Sequence, residues 1–212
     1  MAILEVDKLN YRLSDRRFLI EDLSFEIGPS NGLMVSGPTG SGKTTLTKIL
    51  LGLKPGYDGS IRFEDHLKLI PGKARTTAFR RRIGFMLEEP LVFDKYNLMQ
   101  NIQVYLKLAK IRVDKNTIRD RLYDIGLGGM NRKPISSLSW GQTRVVEMLR
   151  IVLKSPRLVI CDQPFAALDN EKKTWMKNSL NALVNSGSAV IFTYSLAEVG
   201  EMFNWPRISL KE

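Results

Sequence analysis

Glycines, a lysine and a hydroxyl are concentrated in one short stretch, Gly37-Pro38-Thr39-Gly40-Ser41-Gly42-Lys43-Thr44, which fits G-x-x-x-x-G-K-[ST] without a mismatch. Each residue type has a chemical reason to be there. Glycines let successive backbone N–H groups curl around phosphate oxygens, and a helix opening at the end of the loop adds partial positive charge. Lys43 supplies a point charge for the β- and γ-phosphates of a nucleotide, while the Thr44 hydroxyl, followed by Thr45, is placed to ligate Mg²⁺. A glycine-rich turn that matches by accident is the alternative, and the context opposes it: Leu33–Ser36 reads as a strand directly before the loop and Lys43–Leu53 as a helix directly after it. A second stretch, Leu138-Ser139-Trp140-Gly141-Gln142, stands just before a helical pattern. Sixteen residues beyond Gln142 begins Leu158-Val159-Ile160-Cys161-Asp162, an apolar strand ending in an acid.

The elements that must position these groups follow from periodicity. Gly32–Ser36, Arg82–Leu87, Leu158–Cys161 and Ala189–Thr193 have strand character and alternate with helical stretches such as Lys43–Leu53 and Glu171–Val184. That alternation predicts an α/β fold with a largely parallel sheet. The first sixty residues differ, because Ile3–Lys8, Leu23–Ile27 and Ser60–Phe63 read as short strands separated by turn residues, which suits an antiparallel flank. From about Tyr96 to Lys154 the strand signal disappears, and Asn97–Lys110, Lys115–Ile125 and Gly141–Leu153 carry apolar residues at helical spacing. The expected organisation is one domain over residues 1–212, with an α/β core from 1–95 and 155–212 and a helical subdomain inserted at 96–154.

Composition bounds the reading. With 212 residues, 43% hydrophobic and 25% charged, the chain suits a single globular domain. No apolar run approaches the roughly 20 residues that span a bilayer, and Glu5 and Asp7 interrupt the start, so a cytoplasmic location is expected. One cysteine, Cys161, and one histidine, His66, exclude an internal disulfide and leave nothing for a soft metal site. The formal charge of +10 invites nucleic acid or an anionic membrane as partner, yet the basic residues are spread out, the densest cluster being Arg80, Arg81 and Arg82. No aromatic-interleaved basic stripe accompanies them, so solvated faces are the default and nucleic acid is not expected.

The combination of a P-loop, the Leu138–Gln142 stretch and the strand ending in Asp162 resembles the ATP-binding cassette (ABC) ATPases, over nearly the whole chain from Ile3 to Leu210. The resemblance implies a P-loop NTPase core of the ABC type, with ATP and Mg²⁺ as cofactors. Leu138-Ser139-Trp140-Gly141-Gln142 is similar to the family's L-S-G-G-Q signature, which implies that Ser139, Gly141 and Gln142 face ATP held on an opposite subunit; an N-cap at Ser139 opening an ordinary helix is compatible with this. Asp162 resembles the Walker B aspartate that holds Mg²⁺. Ala167-Leu168-Asp169 resembles the D-loop at the dimer interface, and Tyr11, 26 residues before Gly37, resembles the aromatic that stacks on adenine. A packed strand residue is the alternative for Tyr11. The compact layout is similar to small bacterial subunits of lipid-export, lipoprotein-release and cell-division complexes. The implied partners are a separate transmembrane subunit, docking near Pro90–Tyr96, and a second cassette, identical or a competent homologue. The implied location is peripheral, on the cytoplasmic membrane face.

Four positions depart from the family pattern: Trp140 replaces the first signature glycine, Gln163 the glutamate that polarises water, Tyr194 the switch histidine, and Glu88 the Q-loop glutamine. Losing a general base costs ~10²–10⁴-fold, or ~3–5 kcal/mol. The resemblance therefore implies impaired hydrolysis. Glu88 also brings a carboxylate to the metal, and Glu88 or Glu89 acting as surrogate base is the alternative. One amide at 163 alone would suit a replacement introduced to trap ATP; four departures together favour natural degeneracy. A soluble ABC protein acting on nucleic acid or ribosomes is the competing functional class.

Overall fold

In a computed structural model that describes residues 1–15, 17–64, 67–68 and 77–211, the chain forms two sheets. One is antiparallel and consists of β1 (Leu4–Arg12), β2 (Phe18–Ile27), β4 (Tyr57–Phe63) and β5 (Leu67–Lys68) in the order β2-β1-β4-β5. The other is parallel and consists of β3 (Gly32–Ser36), β6 (Ile83–Met86), β7 (Leu158–Cys161), β8 (Ala189–Tyr194) and β9 (Arg207–Ser209) in the order β6-β7-β8-β3-β9. Helices α1 (Lys43–Leu50), α2 (Thr77–Arg82), α6 (Asn170–Asn185) and α7 (Ala197–Glu201) connect these strands. Between β6 and β7 the chain instead passes through α3 (Leu98–Leu108), α4 (Lys115–Asp124) and α5 (Trp140–Lys154). The antiparallel flank, the parallel α/β core and the helical run all stand where periodicity puts them. His66 lies outside the described residues.

Several boundaries differ from the expectation, three of them for an evident local reason. β1 continues past Lys8 to Arg12 because Asp7 and Lys8 sit at a bulge: Lys8 has φ +49° and the register with β2 shifts between Val6 and Leu9. β2 begins at Phe18 rather than Leu23, with Asp22 at φ +44° where the pattern looks broken. α1 stops at Leu50 instead of Leu53, because Gly52 turns the chain and the Leu53 N–H returns to the Lys48 carbonyl at 2.8 Å.

Strand alternation decides which face each core residue meets. In β8, Ala189 and Ile191 pack in a cluster with Leu46, Ile49 and Leu50 of α1, whereas Val190, Phe192 and Tyr194 pack with Met176, Leu180 and Leu183 of α6. β7 repeats the pattern, Leu158 and Ile160 on the first face, Val159 and Cys161 on the second. The next residues in phase, Asp162 and Thr193, therefore fall on the α1 side. A third cluster joins Leu98, Ile102 and Leu106 of α3 to Ile118 and Leu122 of α4 and Val146 and Leu149 of α5. Among the described residues no helix is long and apolar enough to cross a membrane.

Candidate phosphate and metal site

The loop after β3 lies at the carboxyl end of the parallel sheet, where open α/β sheets place ligands. Its tight course depends on two glycines. A Cβ on Gly37 would come within 2.8 Å of the Leu210 carbonyl oxygen, and Gly42 holds φ +94° as the N-terminal cap of α1. Among the described residues α3, α4, α5 and α6 are capped by the side chains of Asn97, Asp114, Ser139 and Asp169, whereas α1, like the short α7, has no side-chain cap. Its first N–H groups, next to Lys43, Thr44 and Thr45, are thus open to an anion. Pro38, Thr39 and Gly40 are exposed, and a Cβ on Gly40 would meet nothing within 4 Å. The Ser41 hydroxyl is buried and has no hydrogen-bond partner.

Lys43 is 4% exposed, and its ammonium donates to the carbonyls of Gly37 (2.6 Å) and Pro38 (2.7 Å). Burial pushes this ammonium below the usual lysine range, and the charges of Asp162 and Glu88 oppose the shift. The Thr44 hydroxyl donates to Glu88 Oε2 at 3.3 Å, so Thr44, Glu88 and Asp162 all gather around Lys43. Asp162 is fully buried; its Oδ1 accepts from the Thr193 hydroxyl at 2.6 Å, while Oδ2 has no partner. A buried carboxylate oxygen left over, an unpartnered hydroxyl and an uncapped helix suit a hard cation bound with phosphates. Mg²⁺ takes one or two carboxylates, a hydroxyl and phosphate oxygens rather than an all-protein cage. Among the described residues no cluster of three or more His, Cys, Asp or Glu is present to favour a softer ion. The Cys161 thiol is buried, and burial pushes it up to about 12.

Gln163 follows Asp162 with φ +46°; its N–H donates to Thr193 Oγ1 (3.0 Å) and its amide oxygen accepts from Ser195 Oγ (3.4 Å). Tyr194 does not share this place. Strand parity turns its ring to the opposite face, where it is buried beside Phe192, with centroids 6.0 Å apart and the Arg207 guanidinium 5.8 Å from its centroid. The side chain next to Gln163 is Ser195. Tyr11 is half-buried in β1 opposite Ile20 and Tyr57, with the Lys54 ammonium 5.2 Å from its ring centroid. Ser139 caps α5: its Oγ accepts from Gln142 N–H at 3.2 Å and its N–H donates to Gln142 Oε1 at 2.9 Å. Ser139 and Trp140 are exposed, and a Cβ on Gly141 would lie 3.4 Å from the Ala167 carbonyl oxygen, so the two stretches adjoin. Asp169 caps α6 and is held below the usual carboxylate range by Lys172. Glu89 is exposed.

Periodicity missed a buried charged cluster on α5. Arg144, Glu147 and Arg150 stand at i, i+3 and i+6, each 3% exposed or less. Arg144 donates to the carbonyls of Leu87, Asp162 (2.9 Å) and Gln163 (3.2 Å) and pairs with Glu147 (3.2 Å). Glu147 also pairs with Arg150 (3.1 Å) and accepts from Leu91 N–H (2.9 Å), whose carbonyl accepts from Arg150 (3.0 Å). Burial pushes the Glu147 carboxyl up, and both guanidiniums and the Leu91 N–H oppose it. The signal in the sequence is three charges spaced by three within an otherwise apolar helical face. Glu147→Ala leaves two buried guanidiniums without their anion, which costs about 3–5 kcal/mol. For a chain of this size that lowers Tm by about 10 °C. Thermal unfolding checks it, and an unchanged Tm would mean the arginines are satisfied without Glu147.

The sequence matches the family profile described as "ABC transporter" over residues 20–166. It is 30% identical over 191 residues to the cytochrome c biogenesis ATP-binding export protein CcmA of Vibrio vulnificus, covering 90% of this chain and 91% of that protein. It is 32% identical over 185 residues to the sulfate/thiosulfate import ATP-binding protein CysA 2 of Rhizobium meliloti, covering 82% of this chain but only 49% of that protein. The chain thus spans about half the length of that second relative. Among solved structures, an ATP-binding subunit of an ABC transporter superposes with TM-score 0.83 at 20% identity, covering 98% of this chain and 85% of the other, a likeness of fold.

Proposed function

The chain belongs to the ABC transporter family, and on that premise we propose that it is the ATP-binding subunit of a membrane transport complex, equipped to grip Mg-ATP and poorly equipped to hydrolyse it. The observation that carries the reading is the gathering of Lys43, Thr44, Glu88 and Asp162 at an uncapped helix N-terminus, with the amide Gln163 where an activating carboxylate is needed. Lys43 pairs with the terminal phosphates, and the N–H groups from Gly40 to Thr45 donate to phosphate oxygens. Thr44, Asp162 and Glu88 would hold the metal, which would supply Lewis-acid polarisation of the terminal phosphoryl group. Gln163 orients water and accepts no proton from it.

The exposed Ser139, with Gly141 and Gln142 behind it at the start of α5, serves the nucleotide of a second cassette. With its own water-activating group missing, this subunit pairs with a competent homologue, one site holding ATP and the other turning over. Residues 96–154 form the helical subdomain of that machine. A transmembrane subunit docks in the groove of about 420 Å³ between this subdomain and the core, where Phe85, Leu91, Phe93 and Leu108 supply apolar surface beside Arg80 and Arg81. Arg150 and Glu147 also line the groove, so the buried cluster that holds Leu91 extends from the docking site to the backbone of Asp162. The protein is then peripheral on the cytoplasmic membrane face. Purifying the native complex from its membrane tests this: a polytopic protein and a second cassette are expected. Recovery with ribosomes or nucleic acid would overturn the transport reading.

A further inference from the structure

Residues 96–154 carry eleven Lys and Arg against four Asp and Glu, so +7 of the chain's +10 lies in little more than a quarter of its length. Part of that charge surrounds a cleft of about 630 Å³ at the α3–α4 junction, a volume in the range of small-molecule sites. Its floor is aliphatic: Leu106 and Ile118 are buried, and Ile111 and Val113 half-buried. Three exposed cations, Lys107, Lys110 and Arg112, line the same cleft. Among the described residues none of the three is joined to a carboxylate. Asp114, the nearest acid in sequence, is engaged in capping α4 through the N–H groups of Asn116 and Thr117.

The turn that sets the cations is itself unusual. Helix α3 ends in a Schellman motif, with Lys110 N–H bonded to the Lys107 carbonyl (3.0 Å) and Ile111 N–H to the Leu106 carbonyl (2.9 Å). Glycine is the common residue at its left-handed position, yet Lys110 stands there at φ +59°. The left-handed turn fixes where Lys110 leaves the backbone, on the rim of the cleft that it shares with Lys107 and Arg112.

We propose that this cleft binds the head group and first methylenes of an anionic phospholipid. Three cations around an aliphatic floor match an anionic head on an alkyl chain. Among the described residues no aromatic side chain lines the cleft to stack a base, which disfavours single-stranded nucleic acid. The site shares no residue with the P-loop, so it stands or falls independently of nucleotide binding.

Sedimentation of the full chain with vesicles tests it, using phosphatidylcholine alone and phosphatidylcholine mixed equally with phosphatidylglycerol. Binding to the anionic vesicles only is expected. The Lys107→Glu, Lys110→Glu, Arg112→Glu variant should bind them at least roughly tenfold more weakly. The Lys8→Glu, Lys48→Glu, Lys211→Glu variant, with the same change in net charge, should stay within about twofold of the unaltered chain. Thermal unfolding of both variants verifies that they are folded, and a cleft variant that fails this check is replaced by the corresponding glutamines. Equal loss in both triple variants would assign the binding to net charge and overturn the proposal. So would equal binding to both kinds of vesicle, no binding to either, or full release by glycerol phosphate or by a single-stranded oligonucleotide.

Discussion

Lys43→Ala weakens Mg-ATP binding by at least about a hundredfold, measured as Kd by calorimetric titration against the unaltered chain. The size follows from what the ammonium does. It is 4% exposed, its desolvation is already part of the fold, and it stands beside the carboxylates of Asp162 and Glu88. Hydrogen bonds to charged groups are worth about 1.5–3 kcal/mol each, and contacts to two phosphate groups make about 3–6 kcal/mol. Truncation also leaves Asp162, whose Oδ2 has no protein partner, without its nearby cation. Gly37 and Gly42 still set the turn of the loop, while the carbonyls of Gly37 and Pro38 lose the ammonium they accept from. An unchanged Kd in a folded variant would remove Lys43 from the site.

Gln163→Glu combined with Glu88→Gln raises steady-state ATP turnover by about 10²–10⁴-fold over a negligible starting rate. That range equals about 3–5 kcal/mol of barrier, the usual contribution of a positioned general base. The backbone at 163 is held independently of the side chain: its N–H donates to Thr193 and its carbonyl accepts from Arg144, so a carboxylate introduced there inherits the same position. Tyr194 is left unchanged in this variant, since a histidine in its place would stand among Phe192, Gly200 and Arg207 on the other face of the sheet. Turnover by the unaltered chain that equals the variant's would show that another group, Glu88 foremost, activates water.

Much of the site was legible because its signals are local. The P-loop is contiguous, Asp162 ends an apolar run, and the flanking strand and helix show their own periods. The structure brings Lys43, Thr44 and Asp162 together, and adds Glu88 from a segment whose own sequence carries no such signal. Where the Tyr194 ring points is not legible in the sequence: β8 is buried on both faces, so its run of apolar residues hides the alternation that separates Thr193 from Tyr194. The small hydroxyl residue Thr193, set among larger apolar and aromatic side chains, is the available signal. Arg144, Glu147 and Arg150 escape sequence reasoning because charges on a helix normally mean a solvated face, and here the packing of α5 against α3, against β6 with the segment that follows it, and against the end of β7 buries them. The bulge at Lys8 hid the length of β1 in the same way, as a polar pair that imitates a strand end.

The central claim is that the site retains ATP without consuming it, and product analysis of bound nucleotide tests it most directly. The purified chain is incubated with labelled ATP and Mg²⁺, separated from free nucleotide, and the bound label identified over time. Intact triphosphate on the protein, absent when Mg²⁺ is chelated or Lys43 is replaced, is the predicted result. Rapid appearance of diphosphate, or no retained label at all, would contradict it.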